Sequence, residues 1–357
     1  MRLRIVVLSA SWALALLLAP ASAALAQTCA STPAPRTDAR PSLKGRVVYQ
    51  SDNALHLADL VAGTASTIIF TVSAGPPVTL LNPVNASFSP DGRWVVFSAH
   101  WAPPGGAVRY DVFIASPSGA HLVNLTGDLN AAYKYEDGRF GFDGKQIVFK
   151  RRLDTTPSSI GEIWSMKLTL PATADPSRMG QPKLLLNDGQ SEFSAPSLSP
   201  TGRYLYYQKG AHAAAGVYRH DIAAKLAPAH DLAVSVVPGT ERYFPVVRDF
   251  TAVLLSGWAN SGNMNDQLFL AAPGVLSAVD LLPLNDPNKN NSDPAPVDED
   301  YLIFSSNRCA PSSAPGLMTL YLGAIGSADY WPLVMPGIDG SDGSLLGAGY
   351  TPTAAAK

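Results

Sequence analysis

Apolar and polar positions alternate along this chain in short runs, and the runs recur in one order at a spacing of about fifty residues. A small, mixed segment leads into a tight turn. Strongly β-forming residues follow: Trp94-Val-Val-Phe97, Gln146-Ile-Val-Phe149, Tyr204-Leu-Tyr-Tyr207, Ala252-Val-Leu-Leu255 and Tyr301-Leu-Ile-Phe304. A third segment carries an aromatic or aliphatic pair, as in Tyr110-Asp-Val-Phe-Ile114, Glu162-Ile-Trp164 and Thr319-Leu-Tyr321. A weaker fourth closes the unit, as in Lys183-Leu-Leu-Leu186. Beyond the N-terminal leader no stretch holds a helical period, so each unit predicts four short antiparallel strands.

The turn between the first two strands is the most regular feature. Its full form is Asn85-Ala-Ser-Phe-Ser-Pro-Asp-Gly-Arg-Trp94, matched by Ala195-Pro-Ser-Leu-Ser-Pro-Thr-Gly-Arg-Tyr204. Proline presets φ at such a turn and glycine permits the reversal. Worn copies begin at Phe140, Phe244 and Asp293, and a truncated one, Pro41-Ser-Leu-Lys-Gly-Arg-Val-Val-Tyr49, opens the series. Second strands start near Arg46, Arg93, Lys145, Arg203, Thr251 and Asp300. Equal repeats of one supersecondary unit imply that neighbours bury each other's apolar faces. Six such units predict an all-β, six-bladed β-propeller with four-stranded antiparallel blades. A stacked solenoid is disfavoured, because its repeats are usually shorter and its ends need polar caps.

The Phe-Ser-Pro-Asp-Gly-Arg-Trp-Val-Val-Phe pattern, followed by an aspartate-bearing strand and Asn124-Leu125-Thr126, resembles the repeat of the TolB-like propeller family. That family includes the propeller of periplasmic TolB and those attached to prolyl oligopeptidase-type peptidases. The resemblance spans residues 41–335 and implies a scaffold, not a chemistry. No Gly-x-Ser-x-Gly elbow is present, so a peptidase domain is not expected. Only residues 27–43 precede the repeats, so TolB's additional N-terminal domain is not expected either. The expected layout is a signal peptide (1–26), an N-terminal arm (27–43), the propeller (44–335) and a C-terminal tail (336–357).

Composition adds the compartment. Hydrophobic residues make up 46% of the 357 and charged residues 15%, enough apolar surface for one large core. A net charge of -2 argues against nucleic acid or an anionic membrane as partner. Arg2 and Arg4, an apolar run over residues 5–18 and Ala24-Leu25-Ala26 read as a secretory signal cleaved before Gln27. The run is short for a membrane anchor, so stable membrane insertion is not expected and a periplasmic or extracellular location is. Export also changes how Cys29 and Cys309 read: an even count outside the cytosol favours a bridge. The links opposite the Pro-x-Gly turns are the long ones, and Cys309 falls in one of them. Cys29 precedes the first strand of the first unit, which is expected to start on that same face beside the last unit, so a bridge would lock the ring.

Function should gather on that face, because the turns opposite leave little surface. The unusual inner strand is Tyr133-Lys-Tyr-Glu-Asp-Gly-Arg-Phe140, which brings Tyr133, Tyr135, Glu136, Asp137 and Arg139 to the channel. It reads either as a polar ligand site or as a solvated lining with internal ion pairs. Glu192, Glu241, Arg151, Arg242 and Arg308 are expected around the same mouth, and Trp101 and Trp258 to open two of the long loops as aromatic anchors. The expected function is an exported binding module for a protein or glycan, acting as a monomer without a cofactor. The alternative is a glycan hydrolase or lyase with Glu136, Asp137, Glu192 and Glu241 as acids. Asp286, Asn288 and Asn290 have calcium-loop spacing but lack its glycine and twelfth-position acid, so an Asn-rich turn is the simpler reading.

Overall fold

A computed structural model of the protein describes residues 31–72, 78–103, 105–154, 160–224, 227–272, 279–310, 314–333 and 346–352. The leader and Cys29 lie outside these residues. Six antiparallel sheets form six blades, each counted outward from an inner strand. Blade two runs Leu81–Phe88, Val95–Trp101, Arg109–Ala115 and Val123–Asn124. Blades four, five and six repeat that order from inner strands Phe193–Leu198, Arg242–Val247 and Asn291–Pro296. Blade three begins with Tyr133–Phe140. Its outer edge is split into Ser177–Arg178 and Lys183–Leu186, both paired with Gly161–Thr169. The widest gap between second strands is therefore filled by a broken edge strand, not by a seventh blade.

The C-terminal stretch departs from expectation. Residues 346–352 are not a tail: Leu346–Pro352 pairs antiparallel with Gly45–Ser51 and becomes the inner strand of blade one. The truncated opening copy is short because its first strand arrives from the other end of the chain. Gly45 allows this pairing, since a Cβ there would lie 2.4 Å from the Thr351 carbonyl oxygen.

The two full turns explain their own recurrence. Ser89 Oγ accepts from Trp94 N at 3.0 Å and donates to Asp91 at 2.6 Å, and Gly92 takes φ 67°. Ser199, Tyr204 and Gly202 repeat the arrangement, with Tyr204 N donating to Ser199 Oγ at 3.0 Å and Gly202 at φ 70°. Removing the hydroxyl would orphan a backbone donor, and replacing the glycine would place a Cβ in a left-handed conformation.

Six apolar clusters sit between neighbouring blades. Val47 and Tyr49 of blade one pack with Ile303, Leu320 and Trp331 of blade six, closing the ring. Val48 and Leu55 meet Phe97 and Phe113 of blade two. The other four clusters repeat this around the disc. Each blade thus buries its two faces against its neighbours, and each such fully buried Val, Leu, Ile or Phe contributes about 1.5–3 kcal/mol relative to exposure.

The N-terminal arm follows the rim of blade six. Ser31 Oγ and Thr32 N donate to Asp286 at 3.0 Å each, Arg36 N donates to the Tyr330 carbonyl at 2.9 Å, and the Tyr330 hydroxyl donates to the Pro33 carbonyl at 2.9 Å. The arm covers the exposed edge of that sheet, a position otherwise open to unwanted pairing.

Each described inner strand from blade two to blade six bulges at the same point. The register slips there, and Asn85, Asp137, Ala195, Phe244 and Asp293 adopt φ between 47° and 59°. Left-handed φ is uncommon for residues other than glycine, so its repetition marks a device of the architecture. The bulge bends each strand where it passes the channel axis.

Candidate binding site

The bulged strands divide the axial channel. At the bulge of blade three Asp137 accepts from Asn85 Nδ2 at 2.7 Å and from Ala195 N at 3.1 Å, so one carboxylate ties blades two, three and four. Burial and the Glu136 charge push its pKa up, against the pull of Lys150 and the two hydrogen bonds.

Toward the long loops lies the larger space, a cleft of about 830 Å³ bounded by blades three, four and five. Lys150, Arg152, Glu192, Lys209 and Glu241 line it. Lys150 Nζ stands 2.9 Å from Glu192 and 3.5 Å from Glu136, and Arg152 Nε donates to Glu136. Burial works to lower the Lys150 pKa, but Glu136, Asp137 and Glu192 together hold it above its ordinary value. Register places these groups: Glu136 and Lys134 of the inner strand sit opposite Lys150 and Arg152 of the second. At the rim, Lys209 pairs with Asp188 at 3.3 Å.

A second polar sector adjoins the cleft at blades five and six. Burial raises Asp266 to about 6, the charges of Asp293 and Glu241 push the same way, and a Tyr243 hydrogen bond opposes them. Tyr243 is raised well above its ordinary value by burial, then by Asp266, Asp293 and Glu241. The mouth therefore has one side where acids are matched by cations and one where acids and a phenol crowd together.

The expected site residues separate into groups. Glu136, Glu192 and Glu241 belong to the loop-face cleft or its wall. Asp137 is a cross-blade tie rather than an open acid. Arg139 does not join them: it lies near the turn end of its strand and lines a different cavity. Tyr135 is core, 1% exposed, its hydroxyl donating to the Asn130 carbonyl at 3.0 Å. Arg151 is sandwiched between Tyr133 at 4.2 Å and Trp164 at 4.1 Å and is paired with Glu162 at 2.5 Å.

Arg308, expected on the rim, is 2% exposed. It stacks 4.1 Å over Tyr330 and donates to the Leu284 carbonyl at 3.1 Å and to Asn291. Arg242 lies 4.1 Å over Phe269 and donates to the carbonyls of Glu241, at 3.1 Å, and of Trp258. Its burial lowers the pKa to about 10. Both arginines are structural pins. Trp101 and Trp258 lie inside second strands, Val95–Trp101 and Val253–Asn260, not on loops. The hairpin after Trp258 is tight, with Asn260 paired to Asn263. Trp101 packs edge-on to Phe113 at 6.4 Å against the core of blades one and two.

Asp286, Asn288 and Asn290 do not converge on an ion. Asp286 accepts from Ser31, Thr32 and Asn288 N, and Asn290 Oδ1 accepts from Asp266 N at 3.0 Å. Among the described residues no group of three His, Cys, Asp or Glu is placed to hold a metal.

Sequence reasoning missed Lys150, Lys209, Tyr243 and Asp266. A lysine directly after Ile147-Val-Phe149, in the most apolar strand of its blade, was the available signal.

No protein-family model matches the chain, and no curated protein does. Solved structures do. Hydrazine synthase of Kuenenia stuttgartiensis superposes at TM-score 0.61 with 9% identity over 88% of this chain, which spans 48% of that one. TolB of Acinetobacter baumannii gives 0.50 with 13% identity, covering 86% of this chain and 82% of TolB. A chain of a nidogen/laminin complex gives 0.51 with 9% identity, covering 86% and 98%. Such low identities establish the fold alone, which is that of a TolB-like six-bladed propeller.

Proposed function

We propose that this protein is an exported binding propeller whose loop-face cleft holds a polar segment of a protein partner. The observation that carries this reading is the cleft itself: about 830 Å³ of open space walled by lysine, arginine and glutamate held in place by ion pairs within blade three and from it to blade four. The volume lies within the roughly 300–1,000 Å³ typical of binding pockets. Charged groups fixed before the ligand arrives lose little entropy on binding, and they act more strongly in an enclosed mouth than on open surface. Export rests on the N-terminal leader pattern, and no helix among the described residues is long and apolar enough to cross a membrane. One chain of similar fold was solved in a nidogen/laminin complex. The test is binding of peptide and glycan arrays by the purified protein beside Glu136→Gln and Lys209→Ala. Peptide binding that both substitutions weaken supports the reading. Peptide binding that neither changes removes the cleft from it, and selective glycan binding replaces the partner class.

One observation favours a glycan-cleaving reading. Asp266, raised to about 6 beside Asp293 and Glu241, has the environment of a general acid next to carboxylates. The first-named acids suit that role less, because Glu136 and Glu192 are both engaged by Lys150. Release of reducing ends from a polysaccharide panel, lost in Asp266→Asn, would establish it.

A further inference from the structure

The other end of the channel holds a separate cavity of about 210 Å³ on the turn face. Inner strands of all six blades contribute to its wall, so it lies on the axis. The wall is largely apolar, with Phe88, Phe140, Phe142, Val246 and Pro294 prominent. Arg139 stands in it with an unusual lack of partners. Among the described residues its guanidinium makes no hydrogen bond, and Nη1 is shut away from solvent. Its ring contact is the face of Phe244 at 5.0 Å. Asp137, which carries a charge of the right sign nearby, is already spanned between Asn85 and Ala195. The second arginine of the wall, Arg248, is satisfied by Asp249 at 2.6 Å and the Glu299 carbonyl at 2.8 Å.

A buried guanidinium without acceptors is costly, and nearly all such groups in folded proteins are matched. Burial depresses Arg139 to about 10, still charged at neutral pH. With Phe244 covering one face, the free edge of the fork remains for a planar acceptor, the geometry that suits a carboxylate. We infer that the turn-face vestibule is a second binding site, which takes a small carboxylate with an apolar body, its carboxylate on Arg139 and its body against the phenylalanine wall. The site is independent of the loop-face cleft.

Benzoate is a suitable probe, followed by ligand-observed NMR and calorimetry on the purified protein, with benzamide and inorganic phosphate as controls. Benzoate should bind, benzamide and phosphate at least tenfold more weakly, and Arg139→Gln should lose at least tenfold in benzoate affinity while Lys209→Ala keeps it. On the unaltered protein, benzoate should shield Arg139 from phenylglyoxal, read by peptide mass mapping, and benzamide should not. That arm needs no variant to fold. A phenylalanine-ending peptide tested as free acid and as amide separates the sources: binding of the acid alone assigns a chain terminus, and benzoate binding without peptide binding assigns a free small carboxylate. No benzoate binding, equal binding of benzamide or phosphate, or undiminished binding by a folded Arg139→Gln protein overturns the inference.

Discussion

Replacing Asp266 by asparagine should stabilise the protein near neutral pH, and by less in mild acid. The carboxyl titrates at about 6 in the folded protein against 3.8 for the ordinary side chain, chiefly through burial and then through Asp293 and Glu241. A raised value means the folded state holds this proton more tightly than the unfolded chain. Below about 3.8 both states are protonated and Asp266 costs nothing. As pH climbs from there through about 6 the penalty for ionising in place grows, and above that it is complete. Each tenfold difference in proton affinity between the two states is worth about 1.4 kcal/mol, so ionised Asp266 costs about 3 kcal/mol. Asparagine mimics the protonated group and can still accept from the Tyr243 hydroxyl, but it gives up a charge-assisted bond, which trims the gain to about 1–3 kcal/mol. Urea denaturation at about pH 7.5 and about pH 4.5 compares the full penalty with the smaller part present low in this window. The variant should unfold at higher urea at the upper pH, and the gain should shrink at the lower one. Equal or reduced stability at the upper pH, or the same gain at both, would refute the electrostatic reasoning.

Ring closure from the C-terminus predicts that deletion of residues 346–357 abolishes the cooperative unfolding transition or lowers Tm by well over ten degrees. A truncated chain with an unchanged melt would show that the Leu346–Pro352 pairing is dispensable. Arg308→Ala should cost about 3–5 kcal/mol by removing a buried cation from its stack and acceptors, and Arg308→Lys should rescue little, because lysine lacks the planar fork. Chemical denaturation of both checks this, and a loss under about 1 kcal/mol would make Arg308 a surface group after all. Cys29 and Cys309 should be joined in the mature protein: Ser31 is held at Asp286, and Arg308 reaches the nearby Leu284 carbonyl, which brings both sequence neighbourhoods to one rim. Intact mass and peptide mapping without reductant should find the linked pair, and two free thiols would contradict it.

The scaffold was legible because its causes are local. Ser-Pro-x-Gly is a turn that builds itself from one hydroxyl and one left-handed glycine, and Trp94-Val-Val-Phe97 is a strand by composition. The site was less legible because its causes are not. The bulge residues Asn85, Asp137, Ala195, Phe244 and Asp293 share a conformation but no chemistry, so nothing in the sequence marks where the inner strands bend. That bend separates Glu136 from Arg139, three positions apart, into two compartments. Alternation across the same strand sends Tyr135 into the core while Glu136 meets Lys150. Arg308 reads as a rim charge until the stack of Tyr330, Tyr321 and Phe304 is seen around it. Leu346–Pro352 has no local signature as an inner strand, since its partner lies some three hundred residues away. The missing first strand at Pro41–Tyr49 was the hint that another segment had to supply it.

The most direct test of a loop-face binding site is site-specific photo-crosslinking in the native host. A benzophenone side chain is placed at Gln190 or Ala211 beside the cleft and, for comparison, at Asp91 or Thr201 on the turn face. The account predicts discrete adducts from the cleft positions, lost when Glu136→Gln or Lys209→Ala is combined with the crosslinker, and none of comparable yield from the turns. Adducts of equal strength from the turn positions, or cleft adducts indifferent to both substitutions, would contradict it.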